Sequence, residues 1–354
     1  MVTLYIASSE SYAGKSALCV GLGKRFQRDG HTIGYMKPVS RATRCIPGQC
    51  VEEDAAFAKS VFDLTEPIST LAPICVDYMA MEAAMRGVGA DYVSILKTAF
   101  EQVSKGKDIV LVEGGNGLEE GYIIKLPTFK MPPLLNARTL LIVKWHNCRQ
   151  VDYALAAKEL IGDSLLGIVI NAVPRRELEV AKDVVVPYLE DNGVKVYAVL
   201  PQERILRSIS VRELAEVVNG KVLCCEEALD DYVEHLLVGA MSVDSALSHF
   251  RRKPNKAVIT GGDRADIQLA ALETSTKCLV LTGNLRPSPI IMGKAEELGV
   301  PMIMVRRDTL STVESVEKSF YKTRFRAQRK IARFEAIMEE NFDFAGLYAD
   351  LGLN

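Results

Sequence analysis

Thr3-Leu4-Tyr5-Ile6-Ala7-Ser8-Ser9-Glu10-Ser11-Tyr12-Ala13-Gly14-Lys15-Ser16 opens the chain and decides how the rest is read. Residues 3–7 are an apolar run of strand type, 8–13 a polar loop, and Gly14-Lys15-Ser16 begins a helix. A loop of this kind between a buried strand and a helix is a P-loop arrangement. Backbone N–H groups of Ser11, Tyr12, Ala13 and Gly14 and the helix N-terminus cradle phosphates. Lys15 reaches the outer phosphate oxygens, and the Ser16 hydroxyl suits Mg²⁺. The strict spacing would place glycine at position 9, where this chain has Ser9. The plain alternative is a serine-rich strand-to-helix turn without a ligand.

Further strands are expected over 32–37, 108–112, 139–143, 166–170 and 196–200, each mostly continuously apolar. Such runs belong to strands buried on both faces. Amphipathic stretches at 15–29, 52–62, 90–105, 151–161 and 176–192 alternate with them. The fold class is therefore α/β, a parallel sheet with helices on both faces. The pattern breaks near 201–218, where Pro201 ends a strand and a short helix closes at Asn219-Gly220. It then resumes on a smaller scale, with strands expected over 256–260, 278–282 and 301–305. From 311 onward the chain reads as helical, with Ser311 and Glu314 spaced as a capping box. The expected domains are 1–215, a smaller α/β domain over 216–325, and a helical tail over 326–354.

The 354 residues suit two domains, and 48% hydrophobic with 25% charged excludes a disordered or fibrous chain. Forty-three basic against forty-five acidic residues give no global pull toward nucleic acid or an anionic membrane, and neither is expected as a partner. No apolar run is long enough for a membrane span, and the N-terminus lacks a charged leader, so a cytoplasmic protein is expected. Eight cysteines without a CxxC pair and four scattered histidines do not form a zinc pattern. Cys45 and Cys50 flank a Pro-Gly turn that brings them within reach of each other. The basic run Lys322, Arg324, Arg326, Arg329, Lys330 and Arg333 reads as a solvated helix face with Phe325, Ile331 and Phe334 buried, rather than an anion patch. The acidic stretch 335–343 should blunt its field.

Other chemistry-bearing residues fall at strand ends, where open α/β sheets bind ligands. Lys37 closes the second strand. Glu113 closes the third, ahead of Gly114 and Gly115, which admit close approach to phosphates. Asp54 starts a helix as a second metal carboxylate, and Asn171 offers an amide to a base edge. Read singly, each has a bland alternative, a surface lysine or a helix-start acid.

On these residues the first 215 positions resemble the dethiobiotin-synthetase-like (BioD-like) branch of P-loop enzymes. Residues 8–16 fit its longer loop, G-T-D-T-x-x-G-K-T, Lys37-Pro38-Val39 its K-P-V, and Val112-Glu113-Gly114-Gly115 its V-E-G-x-G. The resemblance implies ATP with Mg²⁺. Lys15 and Lys37 would then act on phosphates, Ser16, Asp54 and Glu113 would surround the metal, and Asn171 would read the base. Two departures stand out. Ser8 replaces the first glycine, and Arg41 follows K-P-V where a synthetase keeps a small polar residue facing a diamine; a cation there suits an anionic ligand better. Arg41 and Arg44 are candidates for a loop over the phosphates, or are simply exposed.

The stretch Ile259-Thr260-Gly261-Gly262-Asp263-Arg264-Ala265-Asp266-Ile267 resembles the DRTGG domain over roughly 220–320. There Gly261, Gly262, Asp263 and Arg264 form either a ligand or dimer contact or a structural turn tethered by Asp263 and Arg264. The two domains in this order are similar to the N-terminal regulatory half of long phosphotransacetylases, with no room before Asn354 for the transferase. The expectation is a nucleotide-sensing module, with or without ATPase activity, that forms a homodimer and serves a metabolic enzyme without itself being an acetyltransferase. The alternative is an ATP-dependent ligase that activates a carboxylate or carbamate.

Overall fold

The computed structural model describes residues 1–40, 45–46, 49–50, 52–320, 325 and 327–353. The candidate loop arginines Arg41 and Arg44 lie outside the described residues. The chain divides into two compact units, one of 1–202 with 325–354 and one of 203–324. The division falls earlier than the expected 215, and the C-terminal helices fold with the first unit rather than apart.

In the first unit, β1 (Val2–Ser8), β2 (Ile33–Met36), β3 (Ile109–Glu113), β4 (Arg138–Lys144), β5 (Leu165–Val173) and β6 (Val196–Pro201) form one sheet in the order β6-β5-β4-β1-β3-β2. Every neighbouring pair is parallel. All six are strands expected from the apolar runs. Leu4, Tyr5, Ile6, Val110, Leu111, Leu140 and Leu141 are buried, which is why no in-out alternation shows in the sequence. After β1 the chain crosses to β2 on one side and later to β4 on the other. The carboxyl ends of β1, β3 and β4 thus meet at a topological switch point.

Helices α1 (Lys15–Arg28), α2 (Glu53–Phe62), α3 (Tyr92–Ser104) and α4 (Gln150–Ile161) fall where the amphipathic stretches are. The expected helix over 176–192 is interrupted by a π-turn, Ala181–Val185, just before Pro187, which has no N–H to continue the α ladder.

The second unit has a five-stranded sheet of β7 (Lys221–Cys224), β8 (His235–Val238), β9 (Lys256–Gly261), β10 (Thr276–Thr282) and β11 (Met302–Met304), in the order β7-β11-β10-β9-β8. Only β7 runs antiparallel. The flanking strands β7 and β8 lie outside the expected set; both are short and only partly covered, so neither carries a continuous buried apolar run. Helices α5 (Val211–Val217), α6 (Val243–Arg252), α7 (Ala265–Leu272), α8 (Pro289–Leu298) and α9 (Thr309–Phe320) complete this unit. The expected capping box at Ser311 and Glu314 is not the start of α9. Asp308 caps it instead, its carboxylate accepting from the Ser311 N–H at 2.9 Å and hydroxyl at 2.8 Å. A capping box does form at α5, between Ser210 and Glu213.

The tail helices α10 (Gln328–Asn341) and α11 (Phe344–Leu351) lie against α1 and β6. Ile331, Phe334, Ile337 and Met338 are buried there. Lys330 is buried as well, so it does not belong to a solvated face. Glu335 and Glu339 pair with Lys24, Arg25 and Arg28 of α1, while Glu340 lies 3.9 Å from Arg333 of the basic run. Among the described cysteines, Cys19, Cys224 and Cys278 are buried free thiols, consistent with small core hydrophobes, whereas Cys148 is exposed.

Candidate functional site

The polar loop after β1 is held at both ends. The Ser9 N–H donates to the Ile142 carbonyl of β4 at 3.0 Å, and the Lys144 N–H donates to the Ser9 hydroxyl at 3.3 Å. At the far end, Asn171 of β5 donates through Nδ2 to the Ala13 carbonyl at 2.7 Å, while its Oδ1 accepts from the Ala172 N–H at 2.8 Å. Gly14 has φ 110°, and a Cβ there would stand 2.5 Å from Asn171 Nδ2, so both conformation and space demand glycine. Asn171, expected at a base edge, thus fastens the loop. Ser11 and Tyr12 are exposed and Ala13 is buried; Tyr12 has the left-handed φ of 57°.

Inside the loop, the Lys15 ammonium donates to Ser8 Oγ at 2.8 Å and to Asn116 Oδ1 at 3.4 Å. Burial lowers its pKa, opposed by the charge of Glu113. Ser16 Oγ donates to Glu113 Oε1 at 2.8 Å, and the Tyr35 hydroxyl donates to Glu113 Oε2 at 2.8 Å. Glu113 is buried, and that burial pushes its carboxyl above the ordinary range against the pull of Lys37. Gly114 continues the sheet through its N–H to the Ile6 carbonyl, and the Gly115 carbonyl accepts from Ser8 Oγ at 3.4 Å. Lys37 donates to Glu52 Oε1 at 2.9 Å and to Asp54. Burial would depress the Lys37 pKa, but Glu113, Asp54 and Glu52 outweigh it and hold the ammonium well above its ordinary value.

Lys15, Ser16, Lys37, Asp54 and Glu113 therefore meet at the carboxyl edge of β1, β2 and β3. The hydroxyl of Ser16 with the carboxylates of Asp54 and Glu113 is an all-oxygen donor set of the kind Mg²⁺ takes, and it would leave further coordination positions to water and phosphate oxygens. Tyr35, Glu52 and Asn116 are not among the expected site residues, and Ser8, expected only as a departure from glycine, holds Lys15. Glu52 stands as an acid beside Glu53 and Asp54, but nothing in the spacing shows that it joins Asp54 on Lys37. A second cluster flanks the loop: Glu10 pairs with Lys144 at 3.0 Å and His146 at 2.9 Å. Although burial raises its pKa, these two partners bring Glu10 below the ordinary value.

In the second unit, Gly261-Gly262-Asp263-Arg264 turns from β9 into α7. A Cβ on Gly262 would fall 2.1 Å from the Leu285 carbonyl oxygen, which makes it a close-approach glycine. The expected Asp263–Arg264 tether does not form. Arg264 grips Asp266 through Nε at 2.9 Å and Nη2 at 3.0 Å, and its Nη2 also donates to the Met241 carbonyl at 3.0 Å. Asp263 stays exposed. The buried Gln268 amide braces the turn from below, donating to the carbonyls of Gly261 at 3.0 Å and Gly262 at 3.1 Å.

Residues 2–210 match the AAA domain family and residues 213–319 the DRTGG domain. The phosphate acetyltransferase of Synechocystis sp. is 24% identical over 89% of this chain and 47% of its own length. That of Nitratidesulfovibrio vulgaris is 25% identical over 97% of this chain and 51% of its own. The chain thus spans about half the length of these relatives. The ATP-dependent dethiobiotin synthetase BioD of Aromatoleum aromaticum is 27% identical over 48% of this chain and 77% of its own length. No described helix is long and apolar enough to cross a membrane. With the Gly14-Lys15-Ser16 loop, Lys37 and Glu113 gathered on one sheet edge, the chain belongs to the AAA domain family in its BioD-like P-loop form, followed by a DRTGG domain.

Proposed function

We propose that the first unit binds ATP with Mg²⁺ and that the protein is a cytoplasmic, nucleotide-responsive regulatory module, homodimeric and acting on a metabolic enzyme. The observation that carries the nucleotide reading is the meeting of Lys15 and Lys37 with Ser16, Asp54 and Glu113 at the end of β1, β2 and β3. Two ammonium groups supply charge for phosphate oxygens, and the hydroxyl with two carboxylates supplies the metal side. Asn171 serves this site by holding the Ala13 carbonyl, which fixes the loop just ahead of Gly14 and Lys15. The second unit adds a separate surface at Gly261–Arg264 for a further ligand or a second copy.

Calorimetric titration of ATP with Mg²⁺ into wild type and Lys15→Ala tests the reading. Binding by wild type that Lys15→Ala loses supports it; no wild-type heat at millimolar nucleotide overturns it. Phosphate release without any added carboxylate supports intrinsic ATPase activity. Release that requires an added carboxylate or amine moves the assignment to a ligase.

A further inference from the structure

The acidic side of the phosphate site is heavier than its motifs require. Lys37 stands at the end of β2, its own N–H tied to the Leu71 carbonyl at 2.7 Å. Its ammonium lies between Glu52 and Asp54, and these two partners differ in setting. The Asp54 side chain is 39% exposed, whereas those of Lys37 and Glu52 are 15% and 11% exposed. Glu52 is also the N-cap of α2, with Oε1 accepting from the Asp54 N–H at 3.3 Å as well as from Lys37 at 2.9 Å. The helix N-terminus favours its negative charge and fixes its position. Glu52 is therefore a rigid, largely desolvated carboxylate placed against a phosphate-site lysine.

Charge follows from that placement. Among the described site residues, Lys15 and Lys37 face Glu52, Asp54 and Glu113, so the carboxylates outnumber the ammonium groups. A bare polyphosphate entering this field meets net repulsion. To reach it, Lys37 must leave Glu52 as a desolvated carboxylate without its counter-charge, a costly step. A divalent cation held by Ser16, Asp54 and Glu113 turns the balance positive and frees Lys37 from Asp54.

We propose that Glu52 is a positioning residue that holds Lys37 back from phosphate until a divalent cation is bound, making polyphosphate binding dependent on that cation. This rests on the nucleotide reading above and adds a residue that none of the site's motifs contains. Calorimetry with ATP and with sodium tripolyphosphate, first in EDTA and then with Mg²⁺, tests it on wild type, Glu52→Gln and Glu52→Ser. Serine preserves an N-cap acceptor for α2, so the two variants separate loss of charge from loss of the cap. Both should bind metal-free ATP and tripolyphosphate about tenfold more tightly than wild type, the effect of removing one nearby negative charge at a partly solvated site. The enhancement produced by Mg²⁺ should shrink by the same factor. Mg²⁺-ATP binding that wild type shows and Lys15→Ala loses establishes the nucleotide reading independently. If it does so while both Glu52 variants keep the wild-type Mg²⁺ enhancement, the role of Glu52 is overturned. A Mg²⁺ enhancement that falls in Glu52→Gln but not in Glu52→Ser also overturns it, because both lack the charge.

Discussion

Asn171 Nδ2 lies 2.7 Å from the carbonyl oxygen of Ala13, so the end of β5 ties down the phosphate loop from across the sheet. The same amide packs where a Cβ on residue 14 would be, which links the loop's left-handed glycine to a residue far away in sequence. Replacing Asn171 by alanine removes the tie and leaves the Ala13 carbonyl without that donor. We expect Asn171→Ala to cost about 1–2 kcal/mol of stability and to weaken Mg²⁺-ATP binding. Denaturant unfolding and calorimetry on one preparation check both. Nucleotide affinity equal to wild type would show that the loop holds its shape without the tie.

The tail helix α10 contributes to the first unit through apolar burial more than through charge. Phe334 is 2% exposed against α1, while the Glu339 side chain that pairs with Arg25 and Arg28 is 42% exposed. Phe334→Ala should lower stability by about 3–4 kcal/mol, and Glu339→Ala by under about 1 kcal/mol. Urea midpoints measure the two. A reversed order would mean that the ion pairs hold α10 in place.

Lys256 is buried at the start of β9, with Nζ donating to the Ser275 carbonyl at 2.9 Å and lying 5.6 Å from the centre of the Phe250 ring. Burial pushes its pKa down from 10.5 to about 8. The unfolded chain takes up this proton at higher pH than the folded one, so stability falls as pH drops from about 10.5 to about 8 and is level below that. Lys256→Met removes this dependence. The stability of the variant relative to wild type should therefore improve as pH falls through the same window, read from urea midpoints at pH 8 and 10.5. A difference constant across that range would remove Lys256 as its cause.

Helix α9 separates two capping assignments. Asp308 makes the contacts to Ser311, so Asp308→Ala should cost about 1 kcal/mol. Glu314→Ala should change little, since Ser311 is not the cap it was expected to pair with. Thermal melts of the two variants decide between the assignments, and a larger loss in Glu314→Ala would restore the box.

The alternation of elements and the sheet class follow from the order of residues alone. A strand buried on both faces must be apolar through its middle, and each of the six in the first unit is. The same order fixes the P-loop form of the segment ending in Gly14, Lys15 and Ser16, because a strand, a loop and a helix start are local and contiguous. It places Lys37, Asp54 and Glu113 at this site but not the distant groups that hold them and the loop. Tyr35 and Ser16 reach Glu113, Asn171 reaches Ala13, and Glu52 reaches Lys37, each from another segment of the chain. The same holds for the tail, where Glu335 and Glu339 pair with α1 while Glu340 meets Arg333 of the basic run, and for Arg264, which grips Asp266 and not Asp263. Periodicity records which face of an element avoids water. The partner of a charged or amide group depends on which strand ends and helix starts converge, and the tertiary structure alone decides that.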